Sequence, residues 1–208
     1  MSIQACFEQT SVIPVLAFES VEEAVTISRV LYEQGMKVLE ITLRHPSALD
    51  AIRAVIADLP DDAIVGAGTV MGPELAEMVV GAGAAFGVSP GLTRDLAIKI
   101  MELKLPFLPG VATISEAMMA VSLGFTHLKF FPATASGGVD FLKAAGAVLP
   151  EVQFCPTGGI NPSNAAEFLA LENVPVVGGS WLTPRDATGK MDVAAVATLS
   201  RVAATFSL

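Results

Sequence analysis

Few residues in this chain are of the kinds that bind metals, form crosslinks or carry charge. Its two cysteines, Cys6 and Cys155, lie far apart and fit no metal-ligand spacing, so they read as reduced thiols. The two histidines, His45 and His127, join no cluster of metal-binding residues either, and no metal site is expected. Charged residues make up only 16% of the 208, and the net charge is −9, which argues against nucleic acid or an anionic membrane as partner. No stretch approaches the ~20 uninterrupted apolar residues of a membrane helix. The opening MSIQACFEQT lacks a basic start followed by an apolar run, so no secretory signal is expected and the expected location is the cytoplasm. There is no low-complexity segment and no break in composition, so one domain over residues 1–208 is expected.

What the chain does have is hydrophobicity, at 52% of residues, and a rhythm. Short apolar runs recur at VIPVLAF (12–18), KVLEIT (37–42), AIVGAGT (63–69), AAFGVSP (84–90), LPFLPG (105–110), THLKFFP (126–132), VQFCPTGG (152–159) and VPVVGGS (174–180). Runs of this kind, closed by turn residues, mark buried parallel strands. Between them the period becomes helical. Ser20 with Glu23, and Thr113 with Glu116, read as capping boxes; Pro73 stands in a first turn; Gly35 and Gly124 follow helix ends; Asn161 precedes Pro162 at a further start. Eight such units predict a short (β/α)8 TIM barrel. An open doubly wound sheet is the alternative, but no strand is followed by a G-x-G-x-x-G fingerprint: GAGTVMG fails at its last glycine.

Barrel active sites gather at the C-terminal strand ends. Strand residues alternate, so Val38, Glu40 and Thr42 share one face, and His127, Lys129 and Phe131 share another. If both faces point to the axis, Glu40 and Lys129 enter one water-poor space. One reading is a structural ion pair, although desolvation can exceed the Coulombic gain of such a pair. The other is a lysine nucleophile that attacks a carbonyl, with Glu40 moving protons. Burial disfavours the ammonium and the carboxylate favours it, so the two pull in opposite directions. Arg44, just beyond, offers a planar fork suited to a carboxylate. Gly-Gly pairs end the last two strands, and Gly158, Gly159, Gly179 and Ser180 could hold a phosphate by backbone donors even in an acidic protein. His127 reads as a packed residue deeper than Lys129, His45 as a loop residue near Arg44, and Trp181 as a packing anchor.

The motifs EITLR, GAGTV, VSPG, LPGVATISE, KFFPA, PTGGI and GGSWL appear in order across nearly the whole chain. Together they resemble the 2-keto-3-deoxy-6-phosphogluconate (KDPG) aldolases, which overlap with the 4-hydroxy-2-oxoglutarate (KHG) aldolases. The resemblance implies a homotrimeric class I aldolase of the Entner–Doudoroff pathway on a (β/α)8 barrel, needing no cofactor or metal and taking a phosphorylated keto acid. It implies that Lys129 forms the imine, Glu40 is the acid/base and Arg44 binds the carboxylate. It further implies that Thr69, Pro90 and Phe131 line the pyruvate pocket, and that Thr157 reaches substrate oxygens. The glycines after Thr157, with Ser180, would hold the phosphate. Many members continue TLRT and FFPAE where this chain has His45 and Thr134, which touches substrate preference rather than the imine. Two other readings are a metal-using phosphosugar epimerase and a non-catalytic phosphate-binding barrel.

Overall fold

Strand and helix alternate along the computed structural model, which describes residues 2–206; the ends of the expected 1–208 span, Met1, Ser207 and Leu208, lie outside the described residues. The strands are β1 (Val12–Leu16), β2 (Val38–Thr42), β3 (Ile64–Gly68), β4 (Gly87–Val88), β5 (Phe107–Leu108), β6 (Gly110–Val111), β7 (His127–Phe130), β8 (Gln153–Pro156) and β9 (Val177–Gly179). The helices are α1 (Ile3–Phe7), α2 (Val21–Glu33), α3 (Ala48–Asp58), α4 (Pro73–Gly81), α5 (Arg94–Leu103), α6 (Ile114–Ser122), α7 (Gly138–Val148), α8 (Ala165–Leu169) and α9 (Val193–Ala203). Among the described residues no helix is long and apolar enough to cross a membrane.

All strand pairs are parallel. One sheet has the order β5-β4-β3-β2-β1-β9, and a second has β6-β7-β8. Within each sheet the strands from β1 to β5 and from β6 to β8 pair in sequence, and the first strand pairs with the last, which a doubly wound sheet with its reversing order does not do. One expected strand is divided in two at Pro109, which has no N–H to give to a ladder. A parallel bridge between Thr157 and Gly178 joins the end of β8 to β9.

Alternation sorts the apolar residues into two clusters. The larger lies between strands and helices and includes Leu16, Leu39, Leu128 and Phe130, whose ring stacks on Phe141 of α7 with centroids 4.4 Å apart. The smaller lies on the inner face and joins Ile13, Val38, Phe86, Val88, Leu108, Cys155 and Val176. Helix α1 closes this inner cluster from below through Ile3, Cys6 and Phe7. It starts on Ser2, whose hydroxyl accepts from Ala5 N–H at 3.2 Å. The i, i+3, i+4 spacing of Ile3, Cys6 and Phe7 marks a helix face.

The Thr113–Glu116 capping box is complete, and Pro73 sits at the start of α4. Two expected helix starts differ. Ser20 accepts from Glu23 N–H, but the Glu23 carboxylate returns to Glu19 N–H rather than to Ser20, where it also meets Arg185. Asn161 bonds within its own turn, to Ser163, and the helix begins only after Asn164.

His127 differs from a fully packed residue. It opens β7, so it lies at the N-terminal mouth, covered on one side by the Phe7 ring at 5.3 Å and flanked by cavities of about 360 and 590 Å³. Burial lowers its pKa from the ordinary histidine value. The unfolded chain therefore binds the proton more readily, and stability falls as pH drops below about 6.5. We expect His127→Gln to flatten this part of the urea-midpoint profile between pH 7.5 and 5, relative to the parent.

Candidate active site

Strands β2 and β7 deliver the two central groups. Glu40 and Lys129 both point inward, and Lys129 Nζ lies 3.2 Å from Glu40 Oε1. The residues are only 3% and 6% exposed, so the pair is almost wholly out of water. The lysine backbone is fixed on both sides: its N–H donates to Pro109 O at 2.9 Å, and it is in register with Gly110 and Cys155. Its ammonium stands 5.7 Å from the centroid of the Phe131 ring. Thr42, from the same inward set as Glu40, is satisfied by donating to Leu16 O at 2.8 Å.

Around this pair the other candidates occupy the ends of neighbouring strands. Thr69 follows β3 with φ of 64°, a backbone region that β-branched residues rarely enter. It is held there by flanking bonds, Leu43 N–H to Gly68 O at 2.8 Å and Val70 N–H to Val88 O at 3.0 Å. Pro90 follows β4 and presses its carbonyl against Gly110, where a Cβ would overlap it. Thr157 follows β8, with its hydroxyl 3.9 Å from Cys155 Sγ. Arg44 is exposed on the loop after β2. His45, beside it, turns to the start of α3: its Nδ1 meets Ser47 Oγ at 2.8 Å and lies 3.3 Å from the Ser47 N–H, which donates to it.

The glycine pairs form the rim. Gly158 and Gly159 have φ of 97° and 79°, which only glycine adopts freely. Their carbonyls are engaged from behind. Gly158 O accepts from Thr134 N–H at 3.2 Å and its hydroxyl at 3.3 Å, and Gly159 O accepts from Asn164 Nδ2 at 3.0 Å. Gly179 is buried against the Trp181 ring, whereas Ser180 is exposed. Trp181 also packs on the larger core, as an anchor would. Among the described residues no group of three or more His, Cys, Asp or Glu is close enough to hold a metal.

One neighbour was not marked as a site residue by sequence: Cys155. Its place follows from the alternation Gln153–Cys155–Thr157 on β8, but the sequence does not say that β8 pairs with β7 in the register that sets it beside Lys129. Burial pushes its thiol up to about 12, Lys129 offsets part of that and Glu40 adds to it. Burial likewise raises Cys6 to about 11. Both should stay protonated and inert to a disulfide reagent at pH 8, and both should react at once in denaturant. Rapid labelling of either thiol in the folded protein would contradict the packing.

The comparisons with known proteins agree along the chain. Residues 3–199 match the family model for KDPG and KHG aldolase. The 2-dehydro-3-deoxy-phosphogluconate aldolase of Pseudoalteromonas atlantica is 48% identical, over 90% of this chain and 86% of that one. The KHG/KDPG aldolase of Escherichia coli K12 is 45% identical, over 92% and 90%. The crystal structure of a KDPG aldolase from Legionella pneumophila, with pyruvate captured as a covalent carbinolamine, superposes with a TM-score of 0.94 at 42% identity, covering 99% of each chain. With a buried lysine–carboxylate pair at the inner strand ends and this similarity over nearly its full length, the chain belongs to the KDPG and KHG aldolase family.

Proposed function

We propose that the chain cleaves 2-keto-3-deoxy-6-phosphogluconate to pyruvate and glyceraldehyde 3-phosphate through a Schiff base on Lys129. The observation that carries this reading is the buried 3.2 Å contact between Lys129 Nζ and Glu40 Oε1. Proton transfer across it leaves a free amine, which adds to the C2 ketone. Glu40 returns the proton to the carbinolamine hydroxyl, water leaves, and a protonated imine remains. Glu40 then takes the proton of the C4 hydroxyl. The electrons of the C3–C4 bond flow into the iminium, C4 departs as the aldehyde, and an enamine stays on the lysine. Protonation at C3 and attack by water release pyruvate and restore the amine.

The other roles follow the chemistry of each group. The exposed fork of Arg44 takes the substrate carboxylate. Thr69, Pro90 and Phe131 shape the pyruvate pocket, and Thr157 reaches substrate oxygens. Gly158, Gly159, Gly179 and Ser180 hold the phosphate. Because the Gly158 and Gly159 carbonyls are occupied from behind, that turn offers an anion donors rather than lone pairs.

The same reading extends to architecture and setting. Residues 1–208 form one domain, a closed (β/α)8 barrel. This is supported by pairing of the first and last strands, the Thr157–Gly178 bridge and the single-residue break at Pro109. It assembles as a homotrimer in the cytoplasm and serves the Entner–Doudoroff route. Exposed apolar side chains on successive helices support the assembly: Met78 and Val80 on α4, Ile98 and Met101 on α5, Met118 and Met119 on α6. The double name of the E. coli relative supports a second reading, in which KHG is the main substrate. The galactonate-derived epimer is a third compound for comparison.

Borohydride reduction with pyruvate, followed by mass measurement of the intact chain and its peptides, tests the reading. A pyruvate adduct on Lys129 is expected; no mass gain would overturn both the aldolase and its KHG variant in favour of an epimerase or a binding barrel. Lys129→Ala should keep its fold and lose essentially all turnover. Arg44→Ala should raise KM about tenfold or more, by removing a charge-assisted pair. Thr69→Gly should keep or raise the unfolding midpoint, because it relieves the positive φ, yet weaken pyruvate binding. Parent-like affinity in that variant would reduce Thr69 to a turn residue.

A further inference from the structure

Two glycines on β3, Gly66 and Gly68, face the interior two residues apart. Neither has a positive φ, so neither is required by backbone conformation. What each spares is space. A Cβ on Gly66 would overlap the Phe86 ring, coming within 2.5 Å of its Cε2. A Cβ on Gly68 would overlap Glu40 Oε1 and stand 2.8 Å from both Cδ and Cγ. The obstacles differ in kind. Phe86 is a rigid, fully buried ring of the inner cluster, whereas at Gly68 the obstacle is an unbranched side chain, Glu40 from Cγ to its carboxylate. That carboxylate is the one that meets Lys129.

We propose that Gly68 is a positioning residue for catalysis: the slot it leaves on β3 seats the Glu40 carboxylate against Lys129. Glu40 pairs in register with Gly66, and its side chain leans along the strand into the space over Gly68. Any side chain at 68 swings the carboxylate out of that slot and away from the amine. Because Cγ and Cδ are met as well as Oε1, the Glu40 side chain turns as a whole about its Cα–Cβ bond, while the backbone of both strands stays in register, so the loss falls on proton transfer more than on folding. The proposal rests on the reading of Glu40 as the proton carrier.

The test compares Gly68→Ala with Gly66→Ala, each alone, and Gly68→Ala again in a Glu40→Asp background. Gly68→Ala should lower kcat about 100-fold, the range set by loss of a positioned acid/base. Its KM should stay near the parent's, and its unfolding midpoint should lie close to the parent's. Gly66→Ala should show the reverse pattern, a lowered midpoint with the remaining folded enzyme active. The Glu40→Asp carboxylate ends one methylene short and is already withdrawn, so adding Gly68→Ala should cost little more. Three results would overturn the proposal: a folded Gly68→Ala enzyme with kcat within about threefold of the parent, a Gly68→Ala chain that fails to fold, or a full further loss in the Asp background. Pyruvate trapping on the parent separates the two levels. Without an adduct the Lys129–Glu40 mechanism falls, whereas with an adduct and an unaffected Gly68→Ala only the role of Gly68 falls.

Discussion

An amine and a carboxylate 3.2 Å apart with almost no water around them are an expensive thing to build. Their attraction is about 5 kcal/mol at an effective dielectric near 20. Desolvation costs several kcal/mol for each ion, so the pair adds little to stability and can subtract from it. The fold must therefore hold it in place by other means. The backbone of Lys129 is fixed by ladders on both sides, and its outward neighbours Leu128 and Phe130 are sealed into the larger core. The lysine is inward because the strand cannot turn it out without turning two large apolar residues toward the interior.

The interior is fitted by pairing small residues with large ones across neighbouring strands. Gly66 faces Phe86, Gly68 faces Glu40 and Gly178 faces Thr157. Below this level lies the inner cluster of apolar side chains and two thiols, covered by α1, with His127 at its edge. The arrangement divides labour along the strands. The N-terminal end supplies burial, and the C-terminal end supplies the polar groups, the positive-φ residues Thr69, Gly158 and Gly159, and the exposed rim. Strain and solvent contact thus fall at the end where barrel enzymes keep their active sites, and the burial lies at the other.

Much of this was legible in the sequence for a physical reason. Parallel strands buried on both faces produce short apolar runs that stand out from helical periodicity, and a charged residue inside such a run has few explanations. That logic singled out Lys129 and Glu40 before any contact was known, and capping chemistry located α4 and α6. Less legible was whatever depends on register or on close approach. The division of one strand at Pro109, the late start of α8 and the half-exposed position of His127 turn on single hydrogen bonds or on what lies across a mouth. Cys155 beside Lys129 and Gly68 beneath Glu40 depend on which residues of different strands stand opposite. A linear pattern does not encode that until the sheet order is known.

Glycine illustrates the limit best. In GAGTV and in PTGGI alike, glycines stand at the close of an apolar run, and the sequence does not separate them. The two uses are physically distinct. Gly158 and Gly159 need a backbone that other residues resist, so their signal is conformational. Gly66 and Gly68 lie in ordinary strand geometry, where glycine weakens the ladder and has no side chain to pack. A strand that accepts that cost twice on one face must gain from the missing atoms. In one case the gain is a filled interior, since Phe86 needs the room. In the other the group given room is the Glu40 carboxylate, whose burial contributes little to stability and whose contact with Lys129 serves the reaction in the proposed mechanism. On that mechanism the same substitution, two residues apart on one strand, bears on folding at one position and on chemistry at the other.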